Sequence, residues 1–314
     1  MSLLSENSWK MAMIRFKRIL CPTDFSRFSF RAADYAVALA KHYGGEVHFV
    51  HVVPEALLHP DQYPYLVEPV RAEPELRQRA HDRLDAFVAL TRAEQIQSRF
   101  SVKEGAPVTT IMIAAEDDDT DLICLGTHGR EGFERLVLGS VVEKVLRKAS
   151  CPVLTVSEPG LEGAIQPAQF KNILCAVDFA QLSLRSLDYA LSLAQEAGGK
   201  LLLVNVVEWF SEEPGWETEF NVDAYRTEME NDVRERLDEV VPKEARDWCD
   251  IETVVTSGKP YREILQLASE RSVDLVIMGV RGRNPLDVML FGSTTTHVVR
   301  HAQCPVLTIA GGES

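Results

Sequence analysis

The chain states one pattern twice. Gly126-Thr127-His128-Gly129, nine residues, then Gly139-Ser140 recurs as Gly279-Val280-Arg281-Gly282, nine residues, then Gly292-Ser293. Cys21-Pro22-Thr23-Asp24-Phe25 returns as Cys175-Ala176-Val177-Asp178-Phe179, and Gly44-Gly45 as Gly198-Gly199. Gly105-Ala106-Pro107 becomes Gly258-Lys259-Pro260, and Cys151 to Thr155 becomes Cys304 to Thr308, always at an offset of 153 or 154. That period is too long for a solenoid unit, so each copy must enclose its own core. The 314 residues then divide into two domains of ordinary size. Their expected bounds are 15–157 and 170–311. Between them, 158–169 (Glu-Pro-Gly-Leu-Glu-Gly-Ala-Ile-Gln-Pro-Ala-Gln) has linker composition.

Each copy alternates short apolar runs with helical spacing. In the first, Arg18 to Cys21 is a strand, and Ser29 to Tyr43 is a helix stopped by Gly44-Gly45. Glu46 to Val53 is a strand, Glu75 to Arg92 a helix, and Arg99 to Val102 a strand. Pro107 opens a helix at its first position, where a missing N–H costs nothing. Asp121 to Gly126 is the fourth strand, Ser140 to Lys148 a helix, and Pro152 to Val156 the fifth strand. The second copy predicts strands at 172–177, 200–207, 251–255, 274–279 and 305–310, and helices at 182–196, 222–246, 260–271 and 293–301. Nearly continuous apolar strands between amphipathic helices imply parallel sheets covered on both faces, an α/β fold.

In an open α/β sheet, ligands sit beyond the carboxyl ends of strands where the strand order reverses. Asp24 and Asp178 follow the first strands, and Gly126 and Gly279 end the fourth. Glycines there let backbone N–H groups approach an anion and take positive φ where required. Gly139 and Gly292 precede helices, with Ser140 and Ser293 expected as N-caps beside a helix start that favours phosphate. A glycine turn and an Asx turn at Asp24 account for the same residues without any ligand. Duplication preserves fold-required glycines too, so both readings stay open at this point.

The full pattern, Gly-x2-Gly-x9-Gly-Ser with upstream Pro-Thr-Asp-Phe-Ser and downstream Cys-Pro-Val-Leu, resembles the universal stress protein family. The likeness runs over nearly the whole chain as a tandem two-domain member, leaving out 1–14 and the linker. It implies in each domain a five-stranded parallel sheet of order 3-2-1-4-5 with helices on both faces, a Rossmann-like fold of the adenine nucleotide alpha hydrolase kind. It also implies ATP binding, with AMP or ADP as alternatives and Mg²⁺ accompanying the nucleotide. On that resemblance Asp24 and the Val52 backbone lie by the adenine and ribose. Gly126 and Gly129 line the ribose-phosphate path, and Gly139, Ser140 and Val141 cradle the phosphates. The second domain assigns the same roles to Asp178, Val206, Gly279, Gly282, Gly292, Ser293 and Thr294. It departs from the first at Asn205 for His51, Ala180 for Ser26, Arg281 for His128 and Thr294 for Val141. Arg281 and Arg283 are either phosphate partners or solvated loop residues.

Three functions fit: a nucleotide-binding stress regulator, a slow ATPase in the same cleft, and a nucleotide-independent scaffold. No Gly-x4-Gly-Lys-Ser loop and no residue of clear water-positioning type stands in the sequence, so no catalytic residue is assigned. A net charge of −14 argues against a broad nucleic-acid or anionic-membrane surface. No apolar run suits a membrane span or a secretory signal, which predicts a cytoplasmic protein. The six cysteines make no Cys-x-x-Cys pair and read as buried thiols. No two histidines combine helical i, i+4 spacing with a carboxylate partner, so no metal site is assigned. The acidic run Glu116 to Asp119 reads as a solvated helix end. The fifth strands are apolar edges expected to pair with each other within the chain, an internal pseudo-dimer, with a homodimer of chains as a further expectation.

Overall fold

We describe the chain from a computed structural model, over residues 13–54, 73–91, 93–128, 138–157, 170–208, 222–280 and 292–311. The linker, the excursions over 55–72 and 209–221, and the loop residues Gly129, Arg281, Gly282 and Arg283 lie outside the described residues.

The first half runs β1 (Arg18–Pro22), α1 (Arg27–Tyr43), β2 (Glu46–Val53), α2 (Glu73–Leu90), β3 (Gln97–Glu104), α3 (Pro107–Asp117), β4 (Leu122–Gly126), α4 (Ser140–Lys148) and β5 (Val153–Val156). The second runs β6 (Asn172–Ala176), α5 (Gln181–Ala197), β7 (Lys200–Val207), α6 (Val222–Val240), α7 (Ala245–Trp248), β8 (Asp250–Ser257), α8 (Pro260–Glu270), β9 (Leu275–Gly279), α9 (Ser293–His301) and β10 (Val306–Ile309). Local chemistry sets most of these limits. Ser26 caps α1 by accepting from the Ser29 N–H, while Gly44 and Gly198 end α1 and α5 at φ 58° and 55°, a left-handed turn that glycine adopts without a Cβ penalty. Pro107 and Pro260 open α3 and α8 in the first turn.

Three expectations needed correction. The helix expected over 222–246 breaks after Val240, because Pro242 has no N–H to continue the ladder; α7 restarts it. The strands β3 and β8 extend past both ends of the apolar segments that announce them. They are the outer edges of the sheet, and their flanking residues are polar because one side meets solvent. The acidic run is not merely solvated. Asp118 accepts from His48 Nδ1 at 2.5 Å and pairs with Arg99 at 2.5 Å, and His48 Nε2 meets Ser101 Oγ at 2.8 Å. Just after the run, Asp121 accepts from the Lys17 and Arg18 N–H groups, as Asp274 does from Lys171 and Asn172.

The ten strands of the described residues form one sheet in the order β3-β2-β1-β4-β5-β10-β9-β6-β7-β8. Each half is parallel with the order 3-2-1-4-5, as expected, and the halves meet through an antiparallel β5–β10 pair, Leu154 opposite Leu307. The seam is close to two-fold symmetric. Thr155 donates to the Val306 carbonyl and Thr308 to the Val153 carbonyl, both at 3.1 Å. Phe16 stacks with Tyr189 and Tyr35 with Phe170, at centroid distances of 6.5 and 6.4 Å. Tyr43 Oη donates to Glu196 at 2.6 Å. Thr155, Thr308 and Tyr43 are thus paired across the seam, and its aromatic area is taken from water. One apolar cluster, with Phe49, Leu84, Phe87 and Leu191, fills the α1/α5 face; a second, with Ile123, Leu146, Val276 and Val298, fills the opposite face.

Candidate functional site

The reversal of strand order falls between β1 and β4, and again between β6 and β9. At its carboxyl end the first crevice gathers most of the residues singled out in the sequence. Thr23 N–H donates to the Val50 carbonyl at 2.8 Å, carrying the Asp24 turn past the end of β1. Alternation along β2 then settles Val52. The Val50 carbonyl serves the β1 side and the Val53 carbonyl serves Gly105 on the β3 side. The N–H and C=O of Val52 therefore point towards β1 but lie beyond its last residue, Pro22, over the crevice. The same steps, Val177 to the Val204 carbonyl at 2.8 Å and Gly258 to Val207 at 3.1 Å, place Val206 over the second crevice.

Asp24 is half-buried, and its Oδ1 accepts from the Ser26 N–H at 3.0 Å and the Ser29 hydroxyl at 2.9 Å. Asp178 Oδ1 accepts from the Ala180 N–H at 3.0 Å. These Asx turns hold Phe25 and Phe179 at φ 63° and 64°, a left-handed backbone uncommon for aromatic residues. The ring of each is covered by a guanidinium, Arg83 at 4.6 Å and Arg236 at 4.1 Å. The two arginines stand 153 residues apart. They escaped the sequence reading because the helices around them share little else; repetition at the common offset was the available signal.

The departure of Asn205 from His51 turns out to be a chemical equivalence. His51 Nδ1 reaches the Thr23 carbonyl at 2.7 Å, and Asn205 Nδ2 donates to the Val177 carbonyl at 2.7 Å. Two different side chains supply one N–H to one strand-end carbonyl.

The motif glycines have a part in the packing as well. None of Gly126, Gly139, Gly279 and Gly292 has positive φ. A Cβ on Gly126 would lie 2.6 Å from the backbone carbon and Cβ of Phe28, and one on Gly279 would lie 3.1 Å from Leu182 and Ser183. These two glycines admit the first turns of α1 and α5 onto the sheet. The helix caps shift by one as well. Gly139 and Gly292 are the N-caps of α4 and α9, at φ −58° and −53° with no side-chain cap, and Ser140 and Ser293 are exposed at the first helical position. Gly139 N–H donates to the Thr127 carbonyl at 3.1 Å, pinning the start of α4 to the end of β4. The first helical bonds run from Glu143 to Gly139 and from Thr296 to Gly292. The N–H groups of Ser140 and Val141, and of Ser293 and Thr294, therefore precede the ladder at an uncapped, positive helix end.

Within the first glycine motif, His128 is only 8% exposed. Its Nδ1 lies 2.9 Å from Thr127 Oγ1 and its ring packs on Phe28 at 5.1 Å. Burial, and then the charge of Arg300, push its proton affinity below that of an ordinary histidine. Outside the crevices, His297 and His301 lie one turn apart on α9 with ring centroids 6.4 Å apart, but no group of three His, Cys, Asp or Glu suited to a metal occurs among the described residues. No described helix is long and apolar enough to cross a membrane.

A doubly wound α/β protein with one crevice per half, each flanked by an Asp turn and an uncapped glycine-started helix, is thus the class that fold and site define. Comparison with known proteins names the family. The model of the universal stress protein family matches residues 15–157 and again 169–310, and the chain belongs to that family. A universal stress protein of Methanocaldococcus jannaschii is 34% identical over 152 residues, 47% of this chain and 85% of that protein. One of Mycobacterium tuberculosis is 28% identical over 201 residues, 64% of this chain and 65% of that protein. Among solved structures, a universal stress protein of Archaeoglobus fulgidus shares the fold with a TM-score of 0.68 at 24% identity, covering 95% of this chain and 98% of that one.

Proposed function

We propose that this protein is a stress-response regulator that binds an adenine nucleotide, ATP before AMP or ADP, in the crevice of each domain. The observation that carries the reading is the pair of uncapped helix starts at Gly139 and Gly292, held at the carboxyl end where the strand order reverses. Free N–H groups at a helix N-terminus favour phosphate through both hydrogen bonds and the helix dipole. Ser140, Val141, Ser293 and Thr294 would offer those donors, and Gly139 and Gly292 leave the approach open. The backbone of Val52 and of Val206 would meet the adenine edge. Asp24 and Asp178, whose Oδ1 atoms already hold their turns, would face the ribose and an accompanying Mg²⁺.

The test is isothermal titration of ATP, ADP and AMP with Mg²⁺ into the wild type, Gly139→Glu and Gly292→Glu. Two sites are expected, each variant losing one, since a carboxylate placed at the helix start both fills the approach and repels phosphate. Flat titrations of a folded sample would overturn the reading and favour the scaffold. Phosphate release abolished by Asp24→Ala together with Asp178→Ala would instead favour the slow ATPase.

A further inference from the structure

Two buried polar atoms from opposite halves of the molecule, His128 Nε2 and Arg300 Nε, have no hydrogen-bond partner among the described residues. Burying such a group unpaired is costly, so a pair of them calls for an acceptor. The fold brings them to one place. Thr127 N–H donates to the Val156 carbonyl at 3.0 Å, and Ser157 Oγ donates to the Ala302 carbonyl at 2.8 Å. Because β10 runs antiparallel to β5, the last turn of α9, which ends at the start of β10, lies over the carboxyl ends of β4 and β5. Arg300 therefore belongs to the second domain by sequence and lies on the turn of α9 held beside the carboxyl end of β5, on the side of the first crevice. Its charge is felt at His128.

The chemistry of both groups points to an anion. Arginine is a permanent cation with donors only. When the Thr127 hydroxyl donates to His128 Nδ1, the ring proton sits on Nε2, which then also donates. Buried donors with no acceptor among the described residues suit a phosphate oxygen and disfavour a cation or an apolar group.

We propose that His128 and Arg300 form an anion site completing the first crevice, so that the second domain supplies a phosphate-binding residue to the nucleotide of the first. The inference rests on the nucleotide reading given above. It also makes the two sites unequal. The repeat partner of Arg300 is Arg147, 153 residues earlier. Arg147 is 42% exposed and paired with Glu143 at 2.7 Å, so its charge is already compensated. The first domain then gains more affinity from phosphate groups than the second, and its occupancy bears directly on α9.

The experiment is isothermal titration of ATP and of adenosine, with the second site silenced by Gly292→Glu. In that background Arg300→Gln is expected to weaken ATP binding about tenfold or more, as loss of a charge-assisted hydrogen bond does, while adenosine affinity stays within about twofold. Arg300→Lys should recover part of the loss, and Arg147→Gln should change neither ligand. A variant that merely loosened the fold would weaken ATP and adenosine alike, which would overturn the proposal. An unchanged ATP-to-adenosine ratio in Arg300→Gln, with ATP still bound, would overturn it and leave the nucleotide reading standing. Absence of ATP binding to the first domain of the Gly292→Glu protein would remove both.

Discussion

Replacing Gly126 with alanine separates the packing role of the motif glycines from any ligand role. The added Cβ would sit 2.6 Å from two Phe28 carbons and 2.7 Å from the Phe28 carbonyl oxygen, all but one of them backbone atoms. Relieving that contact requires α1 to retreat by about 0.8 Å to reach ordinary van der Waals separation. Retreat is resisted, because Ala32, Ala33 and Ala36 on the same helix are fully buried against the sheet. Overpacking of this kind costs about 1–3 kcal/mol, which for a domain of this size lowers the thermal midpoint by about 3–10 °C. Gly279→Ala starts from 3.1 Å and needs a smaller shift, so its loss should be less. At Gly292 the nearest atom would be 3.6 Å away, an ordinary contact; with φ already suited to alanine the change should stay within about 1 kcal/mol. Scanning calorimetry of the three variants without ligand is expected to rank Gly126→Ala as the most destabilised and Gly292→Ala as the least. Equal midpoints for Gly126→Ala and Gly292→Ala would refute the close-approach argument.

Two further outcomes follow from buried polar groups. Asn205→Leu leaves the Val177 carbonyl without its 2.7 Å donor and should destabilise by about 1–3 kcal/mol; Asn205→His should lose less, since His51 serves the same carbonyl position in the first domain. Denaturant midpoints by circular dichroism would decide, and equal losses for leucine and histidine would count against the equivalence. His48 and His128 both have proton affinity lowered, first by burial; the Asp118 hydrogen bond opposes this at His48, and Arg300 adds to it at His128. The unfolded chain therefore takes up these protons first, at the ordinary histidine pKa of about 6.5, and their contribution to stability is present above that value and lost as pH falls through it. Thermal midpoints should decline from pH 7.5 to 5.5, less steeply in His48→Gln; a flat profile over that interval would contradict the burial argument.

The repeat alone fixed the domain number, the alternation of strand and helix, and the carboxyl-end placement of Asp24, Asp178, Gly126 and Gly279. These follow from local chemistry: proline and glycine punctuate the chain wherever its φ is restricted or freed, and apolar spacing reports which face each element buries. The strand limits of β2 and β7 were legible because both are interior and apolar, whereas the edge strands β3 and β8 were underestimated because half of each faces water. Capping at α4 and α9 was read one residue late, since a serine beside a glycine looks like the cap until the backbone is seen.

What only the tertiary structure decided lies between segments distant in sequence. That Gly126 is required by Phe28, that Asn205 does the work of His51, and that Asp118 pairs with His48 and Arg99 are facts of packing. None leaves a periodic trace, because each depends on which side chain the folded sheet places opposite. Arg300 is the clearest case. Its spacing assigns it to the second domain, and only the antiparallel seam of β5 and β10 carries it to the first. Periodicity encodes what each segment buries; the juxtaposition of segments is set by the sheet order and the seam, which are properties of the whole fold.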